Sequence, residues 1–263
     1  MKIEEANIFA TGCSFTWGES LQFFSGLESV VWKENRPSFP DAEKTLDKAQ
    51  LDFIKENRWP AQLAKSLSVN HITQARNGGS NNQSLLKAQY FYNNPENLKN
   101  YKIFIIQITE FSRDPMIFNL PNGETISIND PSIVNAEKDI IGLDNNKIME
   151  DSYISFYNRL YEFTNKLKLE YDIETYVIAY PKDSIIPLKQ HPLYQNFVPL
   201  VYNGIQYDST DDLGNKNPLL IVGNYFAYKN LNSGDNHLIL EGHKIISDSI
   251  YNRILKDYKI KHI

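Results

Sequence analysis

Apolar runs of strand length alternate with amphipathic helical patterns along this chain, and this alternation limits the fold more than any other sequence feature. The runs are Ile8 to Thr11, His71 to Ala75, Ile103 to Ile106 and Thr175 to Tyr180. Strands that alternate with helices predict βαβ crossover units and therefore an α/β fold with a largely parallel sheet. The unbroken run from Ile103 to Ile106 is typical of a central strand, because helices then cover both of its faces.

The helical patterns between these runs have recognisable faces and boundaries. Trp59, Leu63 and Leu67 fall on one face, and Ser80 and Gln83 have the spacing of a capping box. Two further helices are predicted, one carrying Phe156, Leu160, Phe163 and Leu167 and a final one from about Glu241 to Lys256. No linker separates two cores, so we expect one domain over residues 1–263.

Two stretches interrupt the alternation. The first covers about residues 111–150 and includes a predicted hairpin, Ile117 to Ile128, around the turn signal Asn122-Gly123. Residues of about 183–233 show no clean period and carry scattered aromatic side chains. Long irregular stretches of this kind are usually lids or binding loops, so we interpret both as insertions in the domain.

Composition excludes several classes of partner. The chain has 263 residues, a formal net charge of -5 and 41% hydrophobic residues, so it offers a phosphate backbone or an anionic membrane no net attraction. No run of about 18 apolar residues is present, and the acidic start Met-Lys-Ile-Glu-Glu does not resemble a signal peptide. We expect a soluble protein. Cys13 is its single cysteine, which excludes an internal disulfide.

The first segment with chemical potential directly follows the first strand and reads Gly12-Cys13-Ser14-Phe15-Thr16-Trp17-Gly18. A hydroxyl at such a strand-to-helix junction suits a nucleophile, and the N–H of Ser14 suits one half of an oxyanion hole. On this segment alone, a simple helix cap is the more common role for Ser14. Cys13 fits a small buried hydrophobe better than a nucleophile.

The second segment, Asp235-Asn236-His237, lies in the loop before the final helix. A carboxylate two residues before a histidine can hold one ring nitrogen while the other faces a hydroxyl, so Ser14, His237 and Asp235 can form a catalytic triad. A metal site formed by Asp235, His237 and His243 is an alternative by ligand type, but no further ligand cluster accompanies it. We interpret His243 as a structural residue.

The third segment, Arg76-Asn77-Gly78-Gly79-Ser80-Asn81, follows the second strand. Its glycines permit close approach to a ligand, and an Asn amide can donate to a developing oxyanion. The alternative is a plain loop and helix cap. The segment lacks the P-loop lysine and the dinucleotide glycine pattern, which argues against nucleotide binding.

Together, Gly12-x-Ser14-(x3)-Gly18, the Gly78 loop and Asp235-x-His237-(x4)-Gly242 resemble the SGNH/GDSL hydrolases in chain order and position. The likeness is strongest to a divergent branch found in phages and bacteria. Its marks are a Gly-Cys-Ser-Phe-Thr start, a Trp-Pro-x-x-Leu-Ala helix and a Gly-x-Ser-Asn loop, here residues 12–16, 59–64 and 78–81.

This resemblance implies a three-layer α/β/α sandwich of the flavodoxin-like SGNH type with a largely parallel five-stranded sheet. It also implies that Ser14 attacks an ester carbonyl, that His237 transfers the proton and that Asp235 orients His237. The N–H groups of Ser14 and Gly78 would form the oxyanion hole. No metal and no organic cofactor are expected, and the partner is a small-molecule or glycan ester.

The sequence departs from the family at two places. Cys13 stands where the family carries Asp, and Gln107-Ile108-Thr109-Glu110 replaces Gly-x-Asn-Asp, whose Asn donates to the oxyanion. Either Thr109 or Asn81 could replace that donor, and we favour Asn81.

We therefore expect a serine esterase that hydrolyses small acyl groups, most plausibly acetyl groups on carbohydrate. An acyltransferase with the same triad is one alternative. A non-catalytic binding or virion protein that keeps the fold is another, because the Gly-x-Asn-Asp donor is absent. Without a signal peptide, the expected location is the cytoplasm or a phage particle.

Overall fold

The computed structural model describes residues 6–18, 21–24, 46–75, 79–114, 116–119, 125–128, 145–221, 224–225 and 237–261. Its strands are β1 (Asn7–Thr11), β2 (His71–Thr73), β3 (Tyr101–Ile108), β4 (Met116–Asn119), β5 (Thr125–Ile128), β6 (Glu174–Ala179), β7 (Leu200–Tyr202) and β8 (Ile205–Tyr207). Its helices are α1 (Ser14–Trp17), α2 (Lys48–Asn57), α3 (Trp59–Leu67), α4 (Asn81–Tyr92), α5 (Pro95–Asn100), α6 (Asn145–Tyr171), α7 (Ile185–Lys189), α8 (Thr210–Lys216) and α9 (Leu240–Lys261).

The main sheet is parallel, in the strand order β2-β1-β3-β6. Ile103 of β3 pairs with Ile8 of β1 on one side and with Glu174 of β6 on the other, so the Ile103 run lies inside the sheet, as predicted. Because the strands are parallel, their carboxyl ends meet at one edge of the sheet, where ligands bind in folds of this class. The α/β fold class with a parallel sheet is confirmed.

The number of sheet strands differs from the expectation of five. Within the described ranges the parallel sheet has four strands, and the next position is occupied by a single parallel bridge between Phe197 and Val177 of β6. The N–H of Val198 donates to the Val177 carbonyl at 2.8 Å. Pro199 follows directly; its φ is fixed and it has no N–H to donate. The chain then leaves the sheet and begins the β7–β8 hairpin.

Helices cover the sheet on both sides, and each side has its own core. On the α4/α6 face, Phe9, Phe104, Ile106 and Ile108 of the sheet pack with side chains of α4 and α6. On the α3/α9 face, Ile8, Ala10, Ile103 and Ile105 pack with Trp59, Leu63, Ile246 and Ile250. The alternation of neighbouring strand residues between the two cores follows from the two-residue period of a β-strand.

Local signals account for the helix boundaries. The Ser80 side chain accepts a hydrogen bond from the N–H of Gln83 at 3.2 Å and caps α4, which is the first half of the predicted capping box. Pro60 lies in the first turn of α3, where its missing N–H costs nothing. The two longest helices, α6 and α9, are amphipathic, and among the described residues no helix has the combined length and apolar character to cross a membrane.

Both of the stretches predicted to be insertions contain regular structure. β4 and β5 form the expected antiparallel hairpin, while Asn122-Gly123 lies outside the described residues. The stretch predicted to be irregular carries α7, α8 and the β7–β8 hairpin. These elements are too short to produce a clear sequence period, which is why the pattern missed them.

Candidate active site

Ser14 lies at the carboxyl end of β1 because two glycines allow a tight turn there. A Cβ on Gly12 would stand 2.3 Å from the Thr16 Oγ1 and 2.9 Å from the Gln107 Cβ, so only glycine fits. Gly18 ends α1 in the left-handed region, at a φ of 92°. In the pattern Gly12-x-Ser14-(x3)-Gly18, the first glycine is therefore required because no side chain fits there. The last glycine is favoured because its backbone is left-handed.

The structure brings Ser14 and His237 together across 223 positions of sequence. The Nε2 atom of His237 lies 2.8 Å from the Oγ of Ser14, within hydrogen-bonding distance. The Ser14 side chain is only 1% exposed. The ring of Phe15 lies beside the His237 ring, with 4.7 Å between the centroids, and limits the space that the imidazole can occupy.

This contact has the geometry that nucleophilic catalysis requires. A neutral imidazole whose Nε2 lacks a proton can accept the Ser14 hydroxyl hydrogen, and its protonated form can return that hydrogen to a leaving group. Ser14 is also the first residue of α1, and the first N–H groups of a helix have no partner inside it.

Two of the predicted site residues, Asp235 and Gly78, lie outside the described residues. Their roles as orienting acid and oxyanion donor stay predictions.

Asn81 holds the end of β3. Its Oδ1 accepts from the Thr109 N–H at 2.8 Å, and its Nδ2 donates to the Thr109 carbonyl at 3.0 Å. The Asp114 carboxylate in turn accepts from the backbone N–H groups of Asn81 and Asn82, at 3.1 and 2.8 Å. Asn81 is fully buried, and only the second hydrogen of its Nδ2 is left for another acceptor. Its donation to an oxyanion stays a prediction.

Two buried polar groups at the end of β3 have no partner among the described residues. They are the Thr109 Oγ1 and the Gln107 Nε2. The Gln107 Oε1 accepts from the Thr16 Oγ1 at 2.6 Å, which ties β3 to α1 directly behind Ser14. Sequence reasoning named Gln107 only as a departure from the family pattern and missed its contact with Thr16. The available signal was a single polar residue in the otherwise apolar run from Ile103 to Ile108.

Cys13 is fully buried in the core of the α3/α9 face, and its Sγ lies 3.8 Å from the Gln107 Oε1. A buried thiol in apolar surroundings is a small hydrophobe with a weak S–H donor. The structure thus places the Cys13 side chain in the core.

His243 is also buried, and it holds a structural position. Its Nδ1 accepts from the Trp59 N–H at 3.3 Å, at the start of α3. Burial lowers the pKa of His243 to about 3, with smaller contributions from the nearby charges of His237 and Arg58. The hydrogen bond from the Trp59 N–H occupies the Nδ1 of His243, which fits the interpretation of His243 as a structural residue. The described part of the chain holds no group of three or more metal-ligating side chains.

No family model and no curated protein matches the sequence. Among solved structures, a carbohydrate esterase is similar at 12% identity and a TM-score of 0.46, over 95% of this chain and 68% of that one. The esterase EstA from Pseudoalteromonas sp. is similar at 11% identity and 0.39, over 96% and 98%. A GDSL-like lipase from Parabacteroides merdae is similar at 12% and 0.39, over 93% of each chain. At these values we draw no conclusion on activity from the likeness.

Proposed function

We propose that this protein is a serine ester hydrolase in which Ser14 is the nucleophile and His237 the general base. One observation carries the proposal: the Nε2 of His237 lies 2.8 Å from the Oγ of Ser14 at the carboxyl end of a parallel sheet. A histidine paired with a buried serine hydroxyl is the arrangement by which proteins activate serine for acyl transfer.

The proposed reaction has two halves. In the first, His237 accepts the Ser14 proton as Oγ bonds to the ester carbonyl carbon, and it then gives that proton to the departing alcohol oxygen. In the second, His237 deprotonates a water molecule that attacks the acyl-serine, and Ser14 leaves with the proton. Asp235 would keep the imidazole oriented, and the N–H groups of Ser14 and Gly78 with the Asn81 amide would donate to the oxyanion.

The proposed substrates are esters of small acyl groups. Ser14 is almost completely buried, so the space beside its hydroxyl favours an acetyl group over a long chain. Carbohydrate is the proposed alcohol because the rings of Phe15 and Tyr180 and polar side chains such as Asp211 and Asn215 line a cavity next to the dyad.

The test is hydrolysis of p-nitrophenyl acetate and labelling by a fluorophosphonate probe, each with wild type and Ser14→Ala. We expect Ser14→Ala to abolish labelling and to lower kcat/KM by about 10⁴ or more. Ser247→Ala is the matched control, since Ser247 is equally buried but lies on α9 without a histidine partner in the described structure. Activity that survives in Ser14→Ala would remove Ser14 from the reaction.

The same experiment separates the alternatives. A fold that has lost its chemistry, for which the missing Gly-x-Asn-Asp is the argument, would neither react with the probe nor release p-nitrophenol. An acyltransferase would label normally, and with a hydroxyl acceptor present it would form a new ester in place of free acid.

A further inference from the structure

A cavity of about 240 Å³ adjoins the proposed dyad on the side of residues 183–233. Phe15, which follows Ser14, forms part of its wall. Ile221, a second wall residue, forms a β-bridge with Leu238, which follows His237. The ring of Phe15 also lies 4.7 Å from the ring of His237 between centroids, so one side chain joins the cavity wall to the dyad.

The cavity has one aromatic side. The Tyr180 and Phe15 rings lie 4.2 Å apart between centroids, and Phe15 in turn contacts the ring of His237. Burial raises the pKa of Tyr180 to about 12, so its hydroxyl keeps its proton and can donate a hydrogen bond at neutral pH. Flat aromatic faces with a polar tip suit a ring that has both apolar and hydroxylated surfaces.

Another part of the wall is polar and acidic, and it is supplied by α8. Asp211 lies in the first turn of this helix, fixed by its own N–H, which donates to the Tyr180 carbonyl at 3.1 Å. Asn215 donates from Nδ2 to the Asp211 Oδ1 at 3.1 Å, and both residues line the cavity. Burial raises the pKa of Asp211, the hydrogen bond from Asn215 lowers it in part, and the nearby carboxylates of Asp183, Asp212 and Glu110 add to the rise.

We propose that this cavity binds the alcohol half of the ester as a neutral, hydroxyl-rich ring of the size of one sugar residue, with Asp211 accepting from its hydroxyls. This inference rests on the proposed function and specifies its substrate. The volume lies just below the range of about 300 to 1,000 Å³ for drug-sized ligands, which fits a single ring better than an oligomer. Anionic rings are disfavoured because the Asp211 carboxylate lines the cavity and no Lys or Arg is among its described lining residues.

The first experiment uses matched substrates and the wild-type chain. Mono-O-acetyl methyl glucosides and mono-O-acetyl methyl glucuronides differ by one carboxylate, and p-nitrophenyl acetate reports reaction at Ser14 without a sugar. We expect kcat/KM for the glucosides to exceed that for the glucuronides by about tenfold or more, since a like charge beside Asp211 is unfavourable. Equal values for the two sugars, or a preference for the glucuronides, would overturn the proposal.

The second experiment assigns the preference to Asp211. We expect Asp211→Asn to reduce the preference for glucosides over glucuronides, because it removes the charge. We expect Asp211→Ala to lower kcat/KM for the glucosides, relative to kcat/KM for p-nitrophenyl acetate, by about tenfold, which is the effect of losing a hydrogen bond to a charged acceptor. Asp212→Asn is the matched control, since it removes the same charge one position along but its carboxylate pairs with Lys216 at 3.2 Å. Equal effects of Asp211→Asn and Asp212→Asn would overturn the contact with Asp211.

Should the Asp211 variants not fold, Asn215→Ala gives a second measurement at an exposed position of the same wall. We expect it to lower the same ratio about threefold, through the loss of one hydrogen-bonding side chain. An unchanged ratio in Asn215→Ala would then count against the site. Failure of the proposed function is distinguishable from all of these results, because wild type would then release no p-nitrophenol.

Discussion

The two faces of the sheet bury different kinds of side chain. On the α4/α6 face, aromatic rings dominate: Phe9 stacks on Phe91 with 4.0 Å between centroids, and Phe104 contacts Tyr92 edge to face at 5.9 Å. On the α3/α9 face, aliphatic side chains outnumber the aromatic ones, and buried polar groups accompany them, among them His243 and Gln107, which accepts from Thr16. Ser14 and His237 meet beside this second core.

The difference between the two faces is that polar groups without a described partner are buried near the end of β3, close to Ser14 and His237. A buried polar group without a partner is unfavourable, and such groups in native structures usually have a function or a partner not yet seen. The Gln107 Nε2 and the Thr109 Oγ1 are groups of this kind at the end of β3. We therefore expect variants near the dyad to change activity and variants on the α4/α6 face to change stability alone.

The largest expected effect tests whether Ser14 and His237 act as one unit. His237→Ala should lower kcat/KM by about 10⁴ or more, and adding Ser14→Ala should cost almost nothing further, since residues of one catalytic unit are strongly non-additive. Kinetics of p-nitrophenyl acetate hydrolysis for the two single variants and the double variant measure this. Losses that multiply would show that the two side chains act independently.

Phe104→Ala tests the aromatic face. Phe104 is fully buried and contacts the rings of Phe9, Tyr92 and Phe163, so its truncation should cost about 3 to 5 kcal/mol in the free energy of unfolding. Urea denaturation measures the loss, and kcat of the remaining folded protein should stay unchanged. A fall in kcat without a fall in stability would contradict the division between the two faces.

His243 makes stability dependent on pH. Its pKa is about 3 in the folded protein against 6.5 for the unfolded chain, so the unfolded state binds an extra proton between these values and stability falls as the pH drops below 6.5. The loss should reach about 3 kcal/mol at pH 4. His243→Asn keeps an acceptor for the Trp59 N–H without titrating, so its stability should fall less between pH 7 and pH 4. Parallel curves for the two proteins would contradict this origin.

Thr109→Val tests the unpartnered hydroxyl at the end of β3. If this hydroxyl replaces the missing donor of the Gly-x-Asn-Asp motif, its loss should lower kcat by about 10²-fold, the effect of one oxyanion donor. Thr175→Val is the control, because the Thr175 Oγ1 is also buried without a described partner but lies on β6. A normal kcat in Thr109→Val would leave Asn81 as the favoured donor.

The smallest effect is expected at Cys13. Cys13→Ala removes a buried sulfur atom from the α3/α9 core and should cost about 1 kcal/mol of stability. Its kcat should stay within about twofold of wild type, because the thiol packs in the core and does not react. Thermal denaturation and p-nitrophenyl acetate hydrolysis measure the two quantities. Loss of activity in Cys13→Ala together with normal stability would show that the thiol takes part in the reaction.

Much of the fold could be predicted from local patterns. The strand from Ile103, the helix from Trp59 and the Ser80 cap were each specified by neighbouring residues, because periodicity and capping depend on side chains a few positions apart. Local patterns could not predict that the expected fifth strand is reduced to one bridge at Phe197, because this depends on pairing with β6.

For the candidate site, too, local sequence predicted some features and tertiary structure decided the others. By itself, the sequence determined that Ser14 follows a strand and that His237 precedes the last helix, because both positions are set by local hydrophobic period. Only the tertiary structure decided that their side chains lie 2.8 Å apart, that the Asn81 amide binds the backbone of Thr109, and that α8 places Asp211 beside Phe15. These contacts join residues far apart in the chain, and their distances are fixed by strand register and helix packing, which no local pattern contains.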